Sequence, residues 1–262
     1  MALTANNYVI DKLRRVTEVG LDDNLVNWTG TSVENPQIEF TGESTEKTDA
    51  QGTLIAKFDT AKGCTFSGEL SVISMPLMAS QLGADLEIAS DTTIVSGEDF
   101  EILTVETDSD GNNTVTLSYT PSSTPEYVYP LTEDKNIDNT NIIAIGTGTD
   151  EASIDGTVIT LPSDIDATQV GVLYEYTTTS AVKISDGAEN YAVEAKYIVD
   201  FLATDLCDSS IKRAGTIVFP KAKIDNNFTL DLTTEGTHPF SFTALKDYCS
   251  DDVELCYIIF RE

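Results

Sequence analysis

Along the last third of the chain, apolar and polar positions alternate with a period of two. In residues 191–203, Val193, Ala195, Tyr197, Val199 and Phe201 fall on one face and Glu194, Lys196, Ile198 and Asp200 on the other. The run therefore reads as a long strand with one apolar and one mostly charged face. Residues 215–224 read as a second long strand. Residues 228–245 repeat the alternation across Glu235-Gly236, which predicts a hairpin. The stretches between and after these runs read as connectors.

Upstream the period changes. Val9, Leu13 and Val16 stand at helical spacing, with Thr4 as a candidate cap and Gly20 as a stop, so residues 4–19 are expected as a short helix or an extended arm. Residues 22–39 are polar and turn-rich. Residues 37–42 and 54–59 alternate as strands, and the polar segment 42–52 between them is expected to be a mobile loop. The clearest local signal follows, because residues 64–73 alternate as a strand and stop at Ser74. Ser74 suits an N-cap, Pro76 the first helical turn and Gly83 a left-handed C-terminal cap. Leu77, Met78, Ala79 and Leu82 give that short helix an apolar side.

The middle of the chain predicts short strands near residues 101–105, 114–119, 126–129, 141–145, 156–161 and 171–176. Turn clusters such as 108–113 and 120–125 separate them, and this spacing predicts a small sandwich. Charge marks the same region. Residues 86–182 hold one basic residue, Lys135, against eighteen acidic ones, whereas the rest holds fourteen basic and twenty-six acidic residues. Such a step points to a module, 86–182, inserted between two halves of a core formed by 1–85 and 183–262. The fold class expected is mainly β: a β-sandwich core with long strands and one short flanking helix, plus an inserted small β-sandwich of immunoglobulin-like type.

The whole chain carries a formal charge of −29 over 262 residues, a field that repels nucleic acid and anionic membranes at long range. A hydrophobic content of 40% is enough for packed cores. The first residues show no basic region followed by an apolar run, and no stretch approaches a membrane-spanning helix. A soluble protein made and kept in a cytoplasm, with no membrane binding by the monomer, is expected.

Catalytic chemistry is hard to build from these residues. His238 is the only histidine and precedes Pro239, which suits a turn or strand-end role. There is no nucleophile elbow, phosphate loop or dinucleotide fingerprint, and one tryptophan, Trp28, does not line a sugar cleft. No enzymatic activity, cofactor or metal is expected. Cys64, Cys207, Cys249 and Cys256 form no CxxC pair, and their spacing reads as reduced, partly buried thiols. Asp108, Asp110 and Asn112 around Gly111 resemble part of a calcium loop, but the flanking helices and the twelfth-position glutamate are missing, so a solvated hairpin turn is expected. The sequons at Asn27, Asn112 and Asn227 carry no weight without a leader.

Basic residues outside the N-terminal third concentrate at Lys212, Arg213, Lys221 and Lys223, with Asp200, Asp205, Asp208 and Asp225 around them. No aromatic stacking pattern accompanies them, which argues against a nucleic-acid patch. A subunit contact, basic strip on acidic surface, is the expected use, and Lys12, Arg14 and Arg15 could serve likewise.

The strand 64–73 running into the helix 75–83, together with segments 217–224 and 237–245, resembles bacteriophage tail tube (major tail) proteins over roughly 165 residues. That resemblance implies a β-sandwich subunit with a flanking helix, assembled as hexameric rings whose long strands form a continuous barrel around a channel. Rings would stack head to tail, a contact that propagates, and DNA would pass an acidic lumen without specific binding. Partners would be further copies and other tail, baseplate or connector proteins, and the location the virion tail, after synthesis in a bacterial host. Leu77, Met78 and Leu82 on the helix, the strand edges and the polar loops become contact candidates, and the insert would project from the outside of the tube. Two other classes compete: a capsid or head decoration protein, and an immunoglobulin-like adhesion or carbohydrate-binding module displaying Tyr119, Tyr127, Tyr129, Tyr174 and Tyr176. Those tyrosines stand at strand spacing, which favours cross-strand packing.

Overall fold

The computed structural model describes residues 7–148, 150–206, 211–248 and 254–261. The protein is mainly β, with 57% of it in strands and, among the described residues, one short helix. Two compact units emerge: Met1–Leu86 with Ile184–Glu262, and Glu87–Lys183.

The first unit begins with β1 (Tyr8–Gly20), β2 (Val26–Gly30), β3 (Val33–Thr48) and β4 (Leu54–Leu70), followed by α1 (Met75–Leu82), and β5 (Leu86–Ile88) runs across the boundary into the second. The second contains β6 (Val95–Thr104), β7 (Glu106–Thr107), β8 (Asn113–Thr116), β9 (Tyr127–Pro130), β10 (Ile143–Ala144), β11 (Ser153–Asp155), β12 (Val158–Thr160) and β13 (Gln169–Thr178). After β14 (Val182–Ile184), which pairs with β5, the chain completes the first unit with β15 (Glu194–Asp205), β16 (Lys212–Ile224), β17 (His238–Ala244) and β18 (Tyr257–Arg261).

One eight-stranded antiparallel sheet builds the first unit, in the order β2-β1-β15-β16-β17-β4-β3, with β18 also on β16. This sheet rolls over on itself. β2 and β3 stand at its opposite ends, yet only Thr31 and Ser32 separate them in sequence, so the ends must meet. Contacts across the roll agree: Trp28 of β2 meets Phe240 of β17 edge-on at 5.4 Å, although three strands lie between them in the sheet order. Gly30 also faces β4 so closely that a Cβ there would come within 2.5 Å of Leu70.

Alternation decides what fills the roll. Ala195, Tyr197, Val199, Phe201 and Ala203 of β15 are buried, with Phe219, Ile224, Phe240, Phe242 and Phe66 from the neighbouring strands. Tyr197 stacks on Phe242 at 4.0 Å, and Phe219 meets the same ring edge-on at 5.0 Å. Each fully buried large side chain of this kind stabilises the fold by about 1.5–3 kcal/mol. In the second unit, two four-stranded antiparallel sheets, β10-β9-β13-β6 and β11-β12-β8-β7, share a core of Val115, Val128, Ile159, Val170 and Val172.

The structure corrects four local expectations. Residues 8–20 are a strand, not a helix or a free arm: β1 pairs with β15 and β2. Register shifts at Ile10/Lys12 and Leu13/Arg15 each add a residue, which stretches an apolar period of two into one that resembles a helix. The turn-rich segment 22–39 holds β2 and the start of β3. The polar segment 42–52 is no free loop: residues 42–48 continue β3 on β4, with register shifts at Glu43/Ser44 and Lys47/Thr48, up to a tight turn where Asp49 Oδ1 accepts from the amides of Gln51 and Thr53. Finally, residues 228–237 form no strand; β17 pairs instead with β16 and β4. β18, which the sequence does not announce, adds to β16. Thr4, Cys207 and Cys249 lie outside the described residues.

Candidate assembly surface

The β3–β4 hairpin changes character along its length. From Cys64 to Leu70 the β4 residues alternate between buried and half-buried. From Glu39 to Lys62 every residue is exposed except the half-buried Ala56, on both strands and therefore on both faces. Phe40, Ile55 and Phe58 lie 61%, 61% and 57% exposed in this ribbon. β17 pairs with β4 only from Thr65 to Leu70, so among the described residues both edges of the distal ribbon are open. An ion pair between Lys57 and Glu46 at 3.6 Å, with both side chains more than half exposed, adds little.

Behind the ribbon the unit is tied firmly. Helix α1 starts at Ser74, whose hydroxyl accepts from the Leu77 amide, and stops at Gly83 in the left-handed region, as its sequence predicts. Two polar clusters hold it. On one side Glu18 is buried, and its carboxylate accepts hydrogen bonds from Trp28 Nε1, Tyr197 Oη, Ser80 Oγ and Asn27 Nδ2, all at 2.6–2.7 Å. Burial, then the Glu18 charge, pushes the Tyr197 phenol up from its ordinary range. On the other side His238 is fully buried at the start of β17. Its Nε2 meets Gln81 Oε1 at 2.7 Å, its Nδ1 accepts from the Ser74 amide at 3.2 Å, and Gln81 Nε2 donates to Pro239 O. Nε2 therefore carries the proton, and burial lowers the pKa, favouring the neutral ring. The histidine is a strand-end fastener of the helix.

Of the helix candidates, Leu77 is fully buried in its own core and has no surface to offer a second copy, whereas Met78 and Leu82 are half-buried. The basic candidates lie on two strands flanking β15. Arg15 donates to Asp200 Oδ2 at 2.7 Å, Thr216 Oγ1 donates to Asp200 Oδ1 at 2.9 Å, and Arg261 approaches the same Oδ1 at 3.4 Å. Burial alone would raise the Asp200 pKa, but hydrogen bonds from Arg15 and Thr216 and the two guanidinium charges bring it below the usual carboxylate range. Arg14, the extra residue of the second β1 bulge, lines a cavity of about 300 Å³ with Arg15, Asp200 and Arg261. Lys212 pairs with Asp11 at 3.1 Å and Lys221 with Glu194 at 2.8 Å. Lys12 and Lys223 are exposed on β1 and β16, and Arg213 stands opposite Ala203. Much of the basic strip thus answers acids of its own chain. Arg261 has no sequence signal, and for Glu18 the only hint is a lone tryptophan in a polar segment.

In the second unit, Asp108 Oδ1 accepts from the amides of Asp110 and Asn112, while Oδ2 accepts from Asn112 Nδ2. Both oxygens are thereby engaged in the turn joining β7 to β8. Tyr119 stacks on Tyr176 at 4.3 Å, Tyr174 is buried with its hydroxyl on Glu101, and Tyr127 and Tyr129 lie 6.3 Å apart. Among the described residues no group of three or more His, Cys, Asp or Glu side chains is placed to hold a metal ion, and no helix is long and apolar enough to cross a membrane. No protein-family model matches the sequence, and a comparison with curated proteins finds no match.

Proposed function

We propose that the chain is a virion structural protein of the tail-tube type, a subunit that assembles into stacked, hexameric rings around a channel for DNA ejection. The observation that carries this reading is the distal β3–β4 ribbon, exposed on both faces and open on both edges. A two-stranded ribbon is marginal in water by itself, and open edges carrying Phe40, Ile55 and Phe58 invite pairing with another chain. Identical copies joined with the β3 edge of one on the β4 edge of the next make a heterologous contact, which closes into rings or propagates. The charge of −29 supports a wall to which DNA phosphates do not adhere. Other tail, baseplate or connector proteins would meet the ends of such a tube.

Negative-stain electron microscopy of the purified protein, with light scattering at two concentrations and at low and high salt, tests this. Hollow rings or tubes, favoured by concentration and by salt that screens acidic repulsion, are the expected result. Closed shells, lattice caps or glycan-bound monomers would overturn it in favour of a capsid, decoration or adhesion role.

A further inference from the structure

Two of the four cysteines, 192 positions apart in sequence, meet in space. Cys64 Sγ and Cys256 Sγ lie 3.4 Å apart, both as free thiols. Cys64 is the first buried residue of β4, the position at which the hairpin leaves the core. Cys256 is half-buried, packs against the same core and directly precedes β18. β18 and β4 are not partners in the sheet. The β18 segment is otherwise held by its ladder to β16, by the rings of Tyr8 and Phe201 around Phe260, and by Arg261 at Asp200.

We infer that Cys64 and Cys256 form a redox-closable pair, a modification site at which a disulfide staples the β18 segment to the root of the projecting hairpin. Closing a bond of about 2.05 Å from this contact asks the two sulfurs to approach by roughly 1.4 Å. The oxidant class is a low-molecular-weight disulfide such as oxidised glutathione. The Cys256 thiol, the more exposed of the two, loses its proton and attacks one glutathione sulfur, releasing one glutathione and leaving a mixed disulfide. Cys64 then loses its proton and attacks the Cys256 sulfur, releasing the second glutathione. Two protein thiols become one disulfide and one oxidised glutathione becomes two reduced molecules, so atoms and electrons balance. The order follows from exposure: burial, with the Cys256 contact adding to it, pushes the Cys64 thiol up to about 12, and a thiol attacks only as its thiolate. This inference does not depend on the assembly reading.

The test uses the full chain, incubated with oxidised glutathione and mapped by mass spectrometry of non-reduced peptides. A cross-linked pair of peptides carrying Cys64 and Cys256, lighter by two hydrogens, is expected. Because the closed loop is long, Tm should rise by about 5–10 °C on oxidation and return with a dithiol reductant. Cys256→Ser should lose both the cross-link and the shift, and its remaining Cys64 should take up glutathione at least tenfold more slowly than the native pair closes. Cross-links through Cys207 or Cys249, a glutathione adduct on Cys256 that never resolves, or closure without a rise in Tm would each overturn the staple.

Discussion

One ladder, β3 on β4, runs through two environments. At its root Phe66 lies 2% exposed and stacks on Phe242 at 5.2 Å, while toward its tip Phe58 lies 57% exposed among exposed neighbours. Antiparallel pairing of β3 with β4 runs through both halves, with register shifts at Glu34/Gln37, Glu43/Ser44 and Lys47/Thr48. The halves differ in side-chain burial and in β17, which covers the β4 edge only at the root. The root is sequence invested in the stability of the subunit, and the tip is sequence whose apolar groups stay exposed among the described residues. Separating those two purposes gives each half its own test.

The largest effects belong to the root. Phe242→Ala removes the ring that Tyr197, Phe219 and Phe66 pack against and should cost about 3–5 kcal/mol, read as a drop in the denaturation midpoint. Glu18→Ala strands Trp28 Nε1 and the Tyr197 hydroxyl without their acceptor, and should cost about 2–6 kcal/mol at roughly 1–3 kcal/mol for each orphaned group. Glu18→Gln keeps an acceptor and should recover part of this. A loss below about 0.5 kcal/mol for Glu18→Ala would show that the buried cluster is not what ties α1 to the sheet.

How much of this was legible beforehand follows the same division. The Ser74 cap, Pro76 and Gly83 specify the helix by local chemistry, and β15 and β16 show themselves by alternation, because the signals lie within a few residues of each other. The distal hairpin reads as a loop for the opposite reason: with both faces exposed, residues 42–52 have no apolar face to alternate with. β1 is obscured by its two bulges. The meeting of β4 with β17, of Cys64 with Cys256 and of Arg261 with Asp200 are long-range pairings to which no local pattern points. Lys212 and Lys221 stand out in sequence as a basic strip, yet in space they answer Asp11 and Glu194 of the same chain.

A smaller effect on the root comes from pH. Burial depresses the His238 pKa in the folded protein, so the unfolded chain binds the proton more readily. The stability from the neutral ring is complete above the ordinary value of 6.5 and is lost as pH falls from there toward the folded pKa. The slope in that window should approach, at most, about 1.4 kcal/mol per pH unit. Asp200, also depressed, adds a second loss only below its ordinary value of 3.8. His238→Gln should flatten the stability curve between pH 7 and 5 while leaving the acid limb below pH 4. A native slope unaffected by this substitution would place the titrating group elsewhere.

The smallest effect on stability, and the one that bears most on assembly, is expected at the tip. Ile55→Ser with Phe58→Ser alters two side chains that are 61% and 57% exposed, so the subunit should unfold within about 0.5 kcal/mol of the native chain. Each serine deletes apolar surface that a neighbouring copy would bury, and fully burying such a side chain is worth about 1.5–3 kcal/mol. The protein concentration needed for half-assembly should therefore rise at least tenfold, measured by light scattering at fixed salt. Comparable exposure elsewhere supplies the control: Leu173→Ser in β13 changes a residue 45% exposed in the second unit and should leave assembly unmoved. Equal losses at both places would make general surface hydrophobicity the driving force, while a loss confined to the tip would make the ribbon itself the contact.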